Sequence, residues 1–414
     1  MRARWTAKLD GSILAQPLHV AEQRIAGRRG PLLVVVSGGN SVYALWADNG
    51  DVLWRRSLGE PVFTVCGARA GISSTPTVDW RRRLVYVAGA GGEVHALDLV
   101  TGHEKAGWPL RVSARPAVEY VWSALRFVGS RLYVPVASHC DRPDDQGAHA
   151  DGRVVAVDRF RGRIERVLDV VPGPANLGGV WAPGGISVDP LDGTLWAGTG
   201  NAYVVVDGSL RADAALAERV LRLTPALRVR GSASQTFHAA ENPGDQGFGS
   251  TPLLFRPTGC DPVAAANSTN GAMYVWGRAP WRPAPIFTAR IGPTEPHDPF
   301  LSQPTWFPQA RALVVGQGIV DREGGRVRGV VGFRVDARCR FRFDWVVNIG
   351  PGPTVQPLAA GSTAFVPAPQ LGKLAAVDVA RGRLFDTGQV LASPIAVGGT
   401  LFVASADGTV RAYR

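Results

Sequence analysis

Residues 39–50 read GNSVYALWADNG and residues 91–102 read GGEVHALDLVTG, and both segments follow one pattern. Each has alternating apolar residues and then a short polar stretch that ends on glycine. Residues 154–162 (VVAVDRFRG) and 374–382 (LAAVDVARG) repeat this pattern. Alternation of this kind is typical of a half-buried strand, and the last glycine supplies the positive φ of a tight turn. The pattern predicts a chain built from repeated β units.

Two further features mark each unit. An aspartate precedes the turn in three copies, and its carboxylate is predicted to accept backbone N–H groups across that turn; these residues are Asp98, Asp158 and Asp378. Another strand lies upstream of the pattern, and an x-x-Pro entry precedes that strand. The entries are at Pro17, Pro76, Pro183, Pro252, Pro304, Pro357 and Pro394, with Trp122-Ser123 as a variant.

Eight entries predict an all-β fold, an eight-bladed β-propeller of four-stranded antiparallel blades. The entries recur about every 54 residues, which leaves room for inserted loops. We expect residues 1–414 to form a single propeller domain whose units begin near residues 12, 73, 120, 180, 248, 301, 354 and 391.

The two ends of the chain are complementary. The last unit stops at residues 410–413 (VRAY), which match a third strand, and no fourth strand follows. Fourth strands elsewhere carry a tryptophan after the turn glycine, as Trp54 follows Gly50, and the N-terminus offers such a strand around Trp5. Residues 1–9 are therefore predicted to complete the last blade and remove two exposed sheet edges.

Composition excludes several classes of protein. The net charge of +11 comes almost wholly from scattered arginines, with Arg81–Arg83 as the densest cluster, so no specific nucleic-acid site is predicted. No run of 18 apolar residues is present, so no transmembrane segment is expected. Residues 1–20 show no apolar core of a signal peptide, so either a signal is missing from this sequence or the protein is cytoplasmic.

The four cysteines are even in number and show no C-x-x-C spacing, which argues against a zinc knuckle or a thioredoxin-type motif. Cys66 and Cys140 fall in loops of the second and third units, and Cys260 and Cys339 fall in the fifth and sixth. We therefore favour Cys66–Cys140 and Cys260–Cys339 among the three possible connectivities. Two disulfides predict an oxidising, extracytoplasmic compartment.

Residues 39–50, 91–102 and 406–413 (ADGTVRAY) resemble the pyrroloquinoline-quinone (PQQ) repeat of quinoprotein alcohol dehydrogenase-like propellers. Residues 178–201 resemble a poorly characterised bacterial subgroup of that family. Many members of the family resemble non-catalytic scaffolds, including outer-membrane assembly lipoproteins. The resemblance implies an eight-bladed fold over nearly the whole chain.

In the catalytic members, two adjacent cysteines cover the quinone, a tryptophan lies under it, and Glu, Asn and Asp ligands hold calcium. Here the resemblance offers Trp122 or Trp181 as the tryptophan and Asn201 with Asp245 as calcium ligands. No two cysteines are adjacent, so this chain departs from the dehydrogenase pattern.

Residues at the blade entries are predicted to ring the central channel on one face, where aromatic side chains could stack a planar ligand or line a peptide groove. The alternative is that they only plug the channel. The predicted ligand-binding residues are Tyr120, Trp122, Trp181, Asn201, Asp245, Phe248, His297 and Gln303, and Phe300 belongs to the same group.

A polar loop in the third unit gives a second candidate site. His139, Asp141 and His149, with further aspartates between them, could hold a divalent cation. The alternative is a surface loop tethered by a disulfide.

Residues 201–218 and 231–249 are long insertions of the kind that bind or cover a ligand. The second insertion holds His238, Glu241, Asn242 and Asp245, but no nucleophile is paired with either carboxylate.

The sequence thus predicts a monomeric, extracytoplasmic propeller that binds a protein partner or a small ligand at its channel face, without a catalytic residue or a cofactor. The alternative hypothesis is a PQQ-dependent dehydrogenase that oxidises an alcohol or a sugar with PQQ and calcium. A third possibility is a polysaccharide-active propeller, which predicts acidic residues converging in the channel.

Overall fold

The computed structural model describes residues 2–25, 27–174, 176–236, 246–292, 303–322, 325–349, 356–368, 373–388 and 394–414. These residues form strands and turns, and no helix occurs among them, so none of them forms a helix that could cross a bilayer. Eight four-stranded antiparallel sheets are the blades of a β-propeller, as the repeats predict. The blades fall into two compact units of four, Met1–Gly179 with Ala392–Arg414, and Val180–Leu391.

The first unit begins with β1 (Ala3–Lys8), which belongs to the last blade. Blade 1 is β2 (Leu18–Ile25), β3 (Arg28–Ser37), β4 (Ser41–Trp46) and β5 (Val52–Ser57). A hairpin of β6 (Val62–Phe63) and β7 (Arg69–Ala70) leads to blade 2, which is β8 (Thr77–Asp79), β9 (Leu84–Ala88), β10 (Glu93–Asp98) and β11 (Leu110–Arg111). Blade 3 is β13 (Arg126–Val128), β14 (Arg131–Ser138), β15 (Arg153–Asp158) and β16 (Arg163–Asp169), with β12 (Glu119–Tyr120) paired to β14.

The second unit holds blades 4 to 7. Blade 4 is β17 (Ser187–Val188), β18 (Leu195–Gly198), β21 (Arg219–Leu223) and β22 (Val229–Ser234), and a hairpin of β19 (Val205–Val206) and β20 (Ser209–Leu210) is inserted into it. Blade 5 is β23 (Leu253–Phe255), β24 (Val263–Asn267), β25 (Ala272–Arg278) and β26 (Trp281–Arg290). Blade 6 is β27 (Thr305–Phe307), β28 (Ala312–Arg322), β29 (Gly325–Val335) and β30 (Phe341–Asn348), and blade 7 is β31 (Leu358–Ala360), β32 (Thr363–Ala368), β33 (Lys373–Asp378) and β34 (Arg383–Gly388).

Blade 8 returns to the first unit and is completed by the N-terminus. Its first three strands are β35 (Ile395–Val397), β36 (Thr400–Ala404) and β37 (Thr409–Tyr413), and β1 pairs with β37 as the fourth. The eight predicted entries each precede the innermost strand of one blade. The prediction that residues at the N-terminus complete the last blade is therefore confirmed.

The cores lie between neighbouring blades, because the second and third strands of each blade are buried on both faces. Val34 and Val36 of blade 1 pack with Val85 and Leu97 of blade 2, and equivalent clusters join other neighbouring blades within each unit. Outer strands are half-exposed, as the alternating pattern of β1 shows. Each blade thus depends on its neighbours for its buried surface.

Turn chemistry follows the prediction. Asp98 accepts the backbone N–H groups of Val100 and Thr101 at 2.9 and 2.8 Å, and Asp158 and Asp378 make equivalent bonds. In blades 1, 2 and 7 the glycine that ends the turn meets a tryptophan from the outer strand of the preceding blade. A Cβ on Gly50 would lie 2.6 Å from the Trp5 ring, and one on Gly102 would lie 2.7 Å from Trp54.

The same tryptophans also hold the turns through their indole N–H groups. Trp5 donates to the carbonyl of Ala47 at 3.1 Å, Trp54 to Leu99 at 3.0 Å, and Trp345 to Val379 at 3.1 Å. Glycine is required at these turns for two reasons, the positive φ and the ring that covers it. The tryptophan is thus the link that fastens one blade to the next.

Buried ion pairs form a second type of link that the sequence pattern did not reveal. Asp79, at the end of β8, pairs with Arg159 of blade 3, and Asp189, which follows β17, pairs with Arg278 of blade 5 at 3.1 Å. All four side chains are at most 6% exposed. Arg159 also donates to the Gly129 carbonyl at 2.7 Å and lies 4.2 Å from the Phe127 ring.

Both disulfides join neighbouring blades. Cys66 pairs with Cys140 and Cys260 pairs with Cys339, the connectivity favoured from the sequence, and no described cysteine is free. The first links the β6–β7 hairpin to the loop after β14, and the second links turns of blades 5 and 6. Each bridge closes a long loop, so each should restrict the unfolded chain substantially.

Candidate functional site

The entry of blade 3 carries an aromatic cluster of Tyr120, Trp122 and His139. β12 pairs Tyr120 with Ala137 of β14, and this places its ring against His139 with centroids 4.1 Å apart. The ring centroid of Trp122 lies 6.1 Å from that of Tyr120. The indole nitrogen of Trp122 is buried and has no hydrogen-bond partner among the described residues, so it is a donor that a ligand could satisfy.

Burial sets the protonation of this cluster. It lowers the pKa of His139 to about 4, although a hydrogen bond to the carbonyl of Pro116 acts in the opposite direction. Burial also raises the pKa of the Tyr120 hydroxyl. At neutral pH the cluster is therefore uncharged, an environment suited to an apolar or aromatic group.

The low pKa of His139 predicts a loss of stability in acid. Its unfolded-state value is 6.5, so below that pH the unfolded chain binds a proton that the folded chain does not take up until about pH 4. The free energy of unfolding should fall by up to about 2–3 kcal/mol between pH 6.5 and 4. Urea unfolding at several pH values should show a smaller fall for His139→Phe. Equal falls in both proteins would contradict this assignment.

An ion-pair network centred on the buried carboxylate of Glu119, the residue before Tyr120, is part of the same blade entry. The carboxylate of Glu119 accepts two hydrogen bonds from Arg153, at 3.0 and 2.8 Å, and one from Ser113. Arg115 bridges from Glu119 to Asp151 at 2.9 Å and lies 3.9 Å from Asp144. This network fixes the loop between β14 and β15 against blade 2.

The predicted metal site falls in that loop, where Asp141 accepts a hydrogen bond from Ser138 and the neighbouring carboxylates of Asp144 and Asp151 face Arg115. Asp144 also accepts backbone N–H groups from its own loop, and His149 contacts the carbonyl of Asp141 at 3.0 Å. His139 stacks on Tyr120. In the described part of the chain, no group of three such side chains is arranged to hold a metal ion. The alternative, a loop tethered by the Cys66–Cys140 disulfide, describes the observed geometry better.

In the second unit, three successive blade entries approach one another closely. Gly184 of blade 4 lies against Thr251 of blade 5 and Gln303 of blade 6, because a Cβ on Gly184 would be 2.8 Å from Thr251 Oγ1 and 2.9 Å from Gln303 Oε1. Thr251 Oγ1 is buried and lacks a hydrogen-bond partner among the described residues. The polar groups of Thr251 and Gln303 at these entries are thus available to a ligand. Trp181 and Asn201, which lie close to the strands of blade 4 in the sequence, are half-buried.

Phe248 is a core residue rather than a surface residue. Its side chain is fully buried, and its ring makes edge contacts with Tyr274 and Trp276, both at 5.8 Å. This full burial does not fit the prediction that Phe248 is a ligand-binding residue. The insertion predicted from residue 231 also starts later, since residues 231–234 belong to β22, whose outer-strand pairing with β21 continues to Ser234.

Several predicted residues lie outside the described ranges. Asp245, His297 and Phe300 are among them, as are His238, Glu241 and Asn242 of the second insertion. The ligand-binding role of the entry residues as a group therefore stays a prediction.

The insertion in blade 4 forms a protruding hairpin with an apolar tip. β19 and β20 pair through Val205 and Leu210, and Asp207 and Gly208 between them have positive φ angles of 49° and 76°. The four large side chains of the tip are exposed: Tyr203 (45%), Val205 (59%), Val206 (45%) and Leu210 (47%).

The base of this hairpin is firmly attached. Ala202 donates its backbone N–H to Ala212 at 2.7 Å, and Thr199 Oγ1 donates to the Leu216 carbonyl at 2.7 Å. The carboxylate of Glu218 accepts Gln235 Nε2 at 3.0 Å and the backbone N–H of Gln246 at 2.8 Å. An apolar tip on an anchored base is a surface that a partner can cover without ordering a loop.

Comparison with protein families supports the repeat assignment. A family model described as outer membrane protein assembly factor BamB, a PQQ-repeat family, matches residues 2–197. This range covers blades 1 to 3, the start of blade 4 and the completing strand β1. The resemblance to PQQ-repeat propellers is thereby confirmed. No curated protein matches the chain in sequence.

Solved structures share the fold at low identity. Quinohemoprotein alcohol dehydrogenase from Comamonas testosteroni is 15% identical with a TM-score of 0.71, over 99% of this chain and 76% of that one. BamB from Moraxella catarrhalis is 15% identical with a TM-score of 0.63, over 100% and 97%. Sqt1 from Saccharomyces cerevisiae is 12% identical with a TM-score of 0.62, over 99% and 98%. At these identities the similarity shows the fold alone.

Proposed function

We propose that this BamB-like propeller is a non-catalytic protein of the cell envelope that binds a protein partner through the β19–β20 hairpin. Two disulfides favour an oxidising compartment, and the matched family is described as an outer-membrane assembly factor. The hairpin carries the proposal, because its apolar tip is rigidly based, solvent-exposed and not needed for the blade core.

The chemistry of the tip fits a protein partner better than a small polar ligand. Valine, leucine and tyrosine side chains gain free energy when a partner removes them from water. The tip also leaves backbone groups at the edges of a two-stranded ribbon, which an extended segment of the partner could pair with. A small polar ligand would gain from neither feature.

The alternative function, a quinone-dependent dehydrogenase, fits the residues less well. Both disulfides join cysteines that are far apart, 74 and 79 residues, so neither can be the adjacent-cysteine bridge of the catalytic relatives. The carboxylates of Glu119 and Asp151 in blade 3 are bound by arginines rather than left to hold calcium. We therefore expect no quinone-dependent turnover of alcohols or sugars.

Site-specific photo-crosslinking in cells of the source organism tests the partner hypothesis. A photoreactive residue at Val205 should give a discrete crosslinked protein, whereas one at Ile164, which is 42% exposed on outer strand β16, should not. When Leu210→Ser and Val206→Ser are combined with the photoreactive residue at Val205, the crosslinked product should disappear while the fold is unaffected. The hypothesis fails if positions 205 and 164 give the same products.

A dye-reduction assay separates the alternative function. Purified protein incubated with PQQ and calcium should show no alcohol- or sugar-dependent reduction above the rate without protein. Turnover that requires both quinone and substrate would establish the dehydrogenase and overturn the non-catalytic assignment.

A further inference from the structure

A pocket of about 270 Å³ lies where the N-terminal strand joins blade 8 to blade 1. Arg4 and Trp5 of β1 form one side and Thr400 and Phe402 of β36 another, while His19 of β2 and the turn at Ala47 come from blade 1. All of these residues belong to the first unit. The pocket is thus built from both ends of the chain.

Three aromatic side chains, Trp5, His19 and Phe402, line the pocket. The centroid of Phe402 lies 6.1 Å from that of Trp5 and 6.0 Å from that of His19. The Trp5 indole N–H is already bonded to the Ala47 carbonyl, so Trp5 offers only its ring. Burial lowers the pKa of His19, which leaves a neutral imidazole at pH 7. A planar apolar group is the natural occupant of such a space.

One cation of the pocket is available to a ligand. Arg4 is exposed and has no ion pair with any described residue. The carboxylate of Asp48, which also lines the pocket, is held by Arg28 at 2.9 and 3.1 Å. A ligand therefore meets a free guanidinium and no free carboxylate, which selects a negative charge on the ligand.

We propose that this pocket binds a small aromatic carboxylate, with the ring against Trp5 and Phe402 and the carboxylate on Arg4. The site is distinct from the partner-binding hairpin and does not depend on the proposed function. Because β1 supplies both Arg4 and Trp5, only the chain with β1 paired to β37 can form the site. Binding must then stabilise that pairing by linkage.

Sodium phenylacetate is the probe for this site, and 2-phenylethanol is its uncharged control. Titration of the full chain followed by NMR should show saturable binding of phenylacetate and weaker binding of the alcohol. Some β1 amides exchange their hydrogens only when the pairing of β1 with β37 opens. At a phenylacetate concentration of about 100 times Kd, the exchange of these amides should slow about 100-fold.

Arg4→Met tests the role of the guanidinium and Arg2→Met is its matched control, since both arginines are exposed near the N-terminus but only Arg4 lines the pocket. Phenylacetate affinity should fall about tenfold or more in the first variant and stay unchanged in the second. The proposal is overturned by non-saturable binding, by equal affinities in the two variants, or by β1 amides whose exchange does not respond to phenylacetate.

Discussion

Deletion of residues 2–8, all of which belong to the first unit, should strongly destabilise the protein. The deletion takes away the five register pairs between β1 and β37 and uncovers the edge of β37. It also removes the Trp5 ring from the Gly50 turn and its bond to the Ala47 carbonyl. Urea unfolding should show a lower midpoint, and the truncated protein should aggregate more readily through the open edge.

Trp5→Ala isolates the contribution of the ring. We expect a cost of about 2–4 kcal/mol in the free energy of unfolding, because the half-buried indole leaves a gap over the turn. Trp80→Ala is the matched control, since Trp80 is 64% exposed, and it should cost less than about 0.5 kcal/mol. A synthetic peptide of residues 2–9 should restore stability to the truncated protein. Equal stabilities of the truncated and intact proteins would contradict the role of β1.

Breaking the ion pair between Asp79 and Arg159 is the second change for which we expect a large effect. Arg159→Met should cost about 3–5 kcal/mol, because it leaves a buried carboxylate with only the half-exposed Arg82 at 3.5 Å. Burial acts to raise the pKa of Asp79, but hydrogen bonds and charge from Arg159 and Arg82 outweigh it and lower the pKa. The ionised form is therefore the one present in the fold at neutral pH.

A double-mutant cycle measures this pair directly. Asp79→Asn combined with Arg159→Met should cost less than the sum of the two single changes, because no unpaired charge remains. The surface pair of Arg211 and Asp213, more than half exposed at 3.6 Å, gives the control, and Arg211→Met should cost under about 1 kcal/mol. If Arg159→Met costs no more than Arg211→Met, the buried pair does not fasten the blades.

The blades and the strand that completes the last one were predictable because they rest on local signals. Alternating apolar residues and a turn glycine recur in four units, three of which also carry an aspartate before the turn, and each of these signals acts within a few residues of itself. The place of Trp5 was predictable for the same reason, since its strand matches the fourth strand of other units. The two disulfides could be favoured because the repeat fixed which loops are neighbours.

The site was less predictable. Phe248 follows the entry pattern, yet its ring turns into the core between blades 4 and 5, because the close backbone approach of Gly198 and Thr199 holds it there. The acidic loop after β14 resembled a metal site when its own residues were considered alone. The arginines that pair with carboxylates there, Arg115 and Arg153, lie outside the acidic run in the sequence. The ion pair of Asp79 with Arg159 spans 80 residues and leaves no periodic signal.

The sequence by itself determined the blades, their number and the strand that completes the last one, because each follows from short-range patterns repeated along the chain. Only the tertiary structure decided which polar groups are neutralised, which aromatic rings are buried, and where both ends of the chain form a pocket. Those outcomes depend on side chains from neighbouring blades that meet across long separations. Function depends on the same long-range side-chain contacts, which is why the repeat predicted the fold far better than the site.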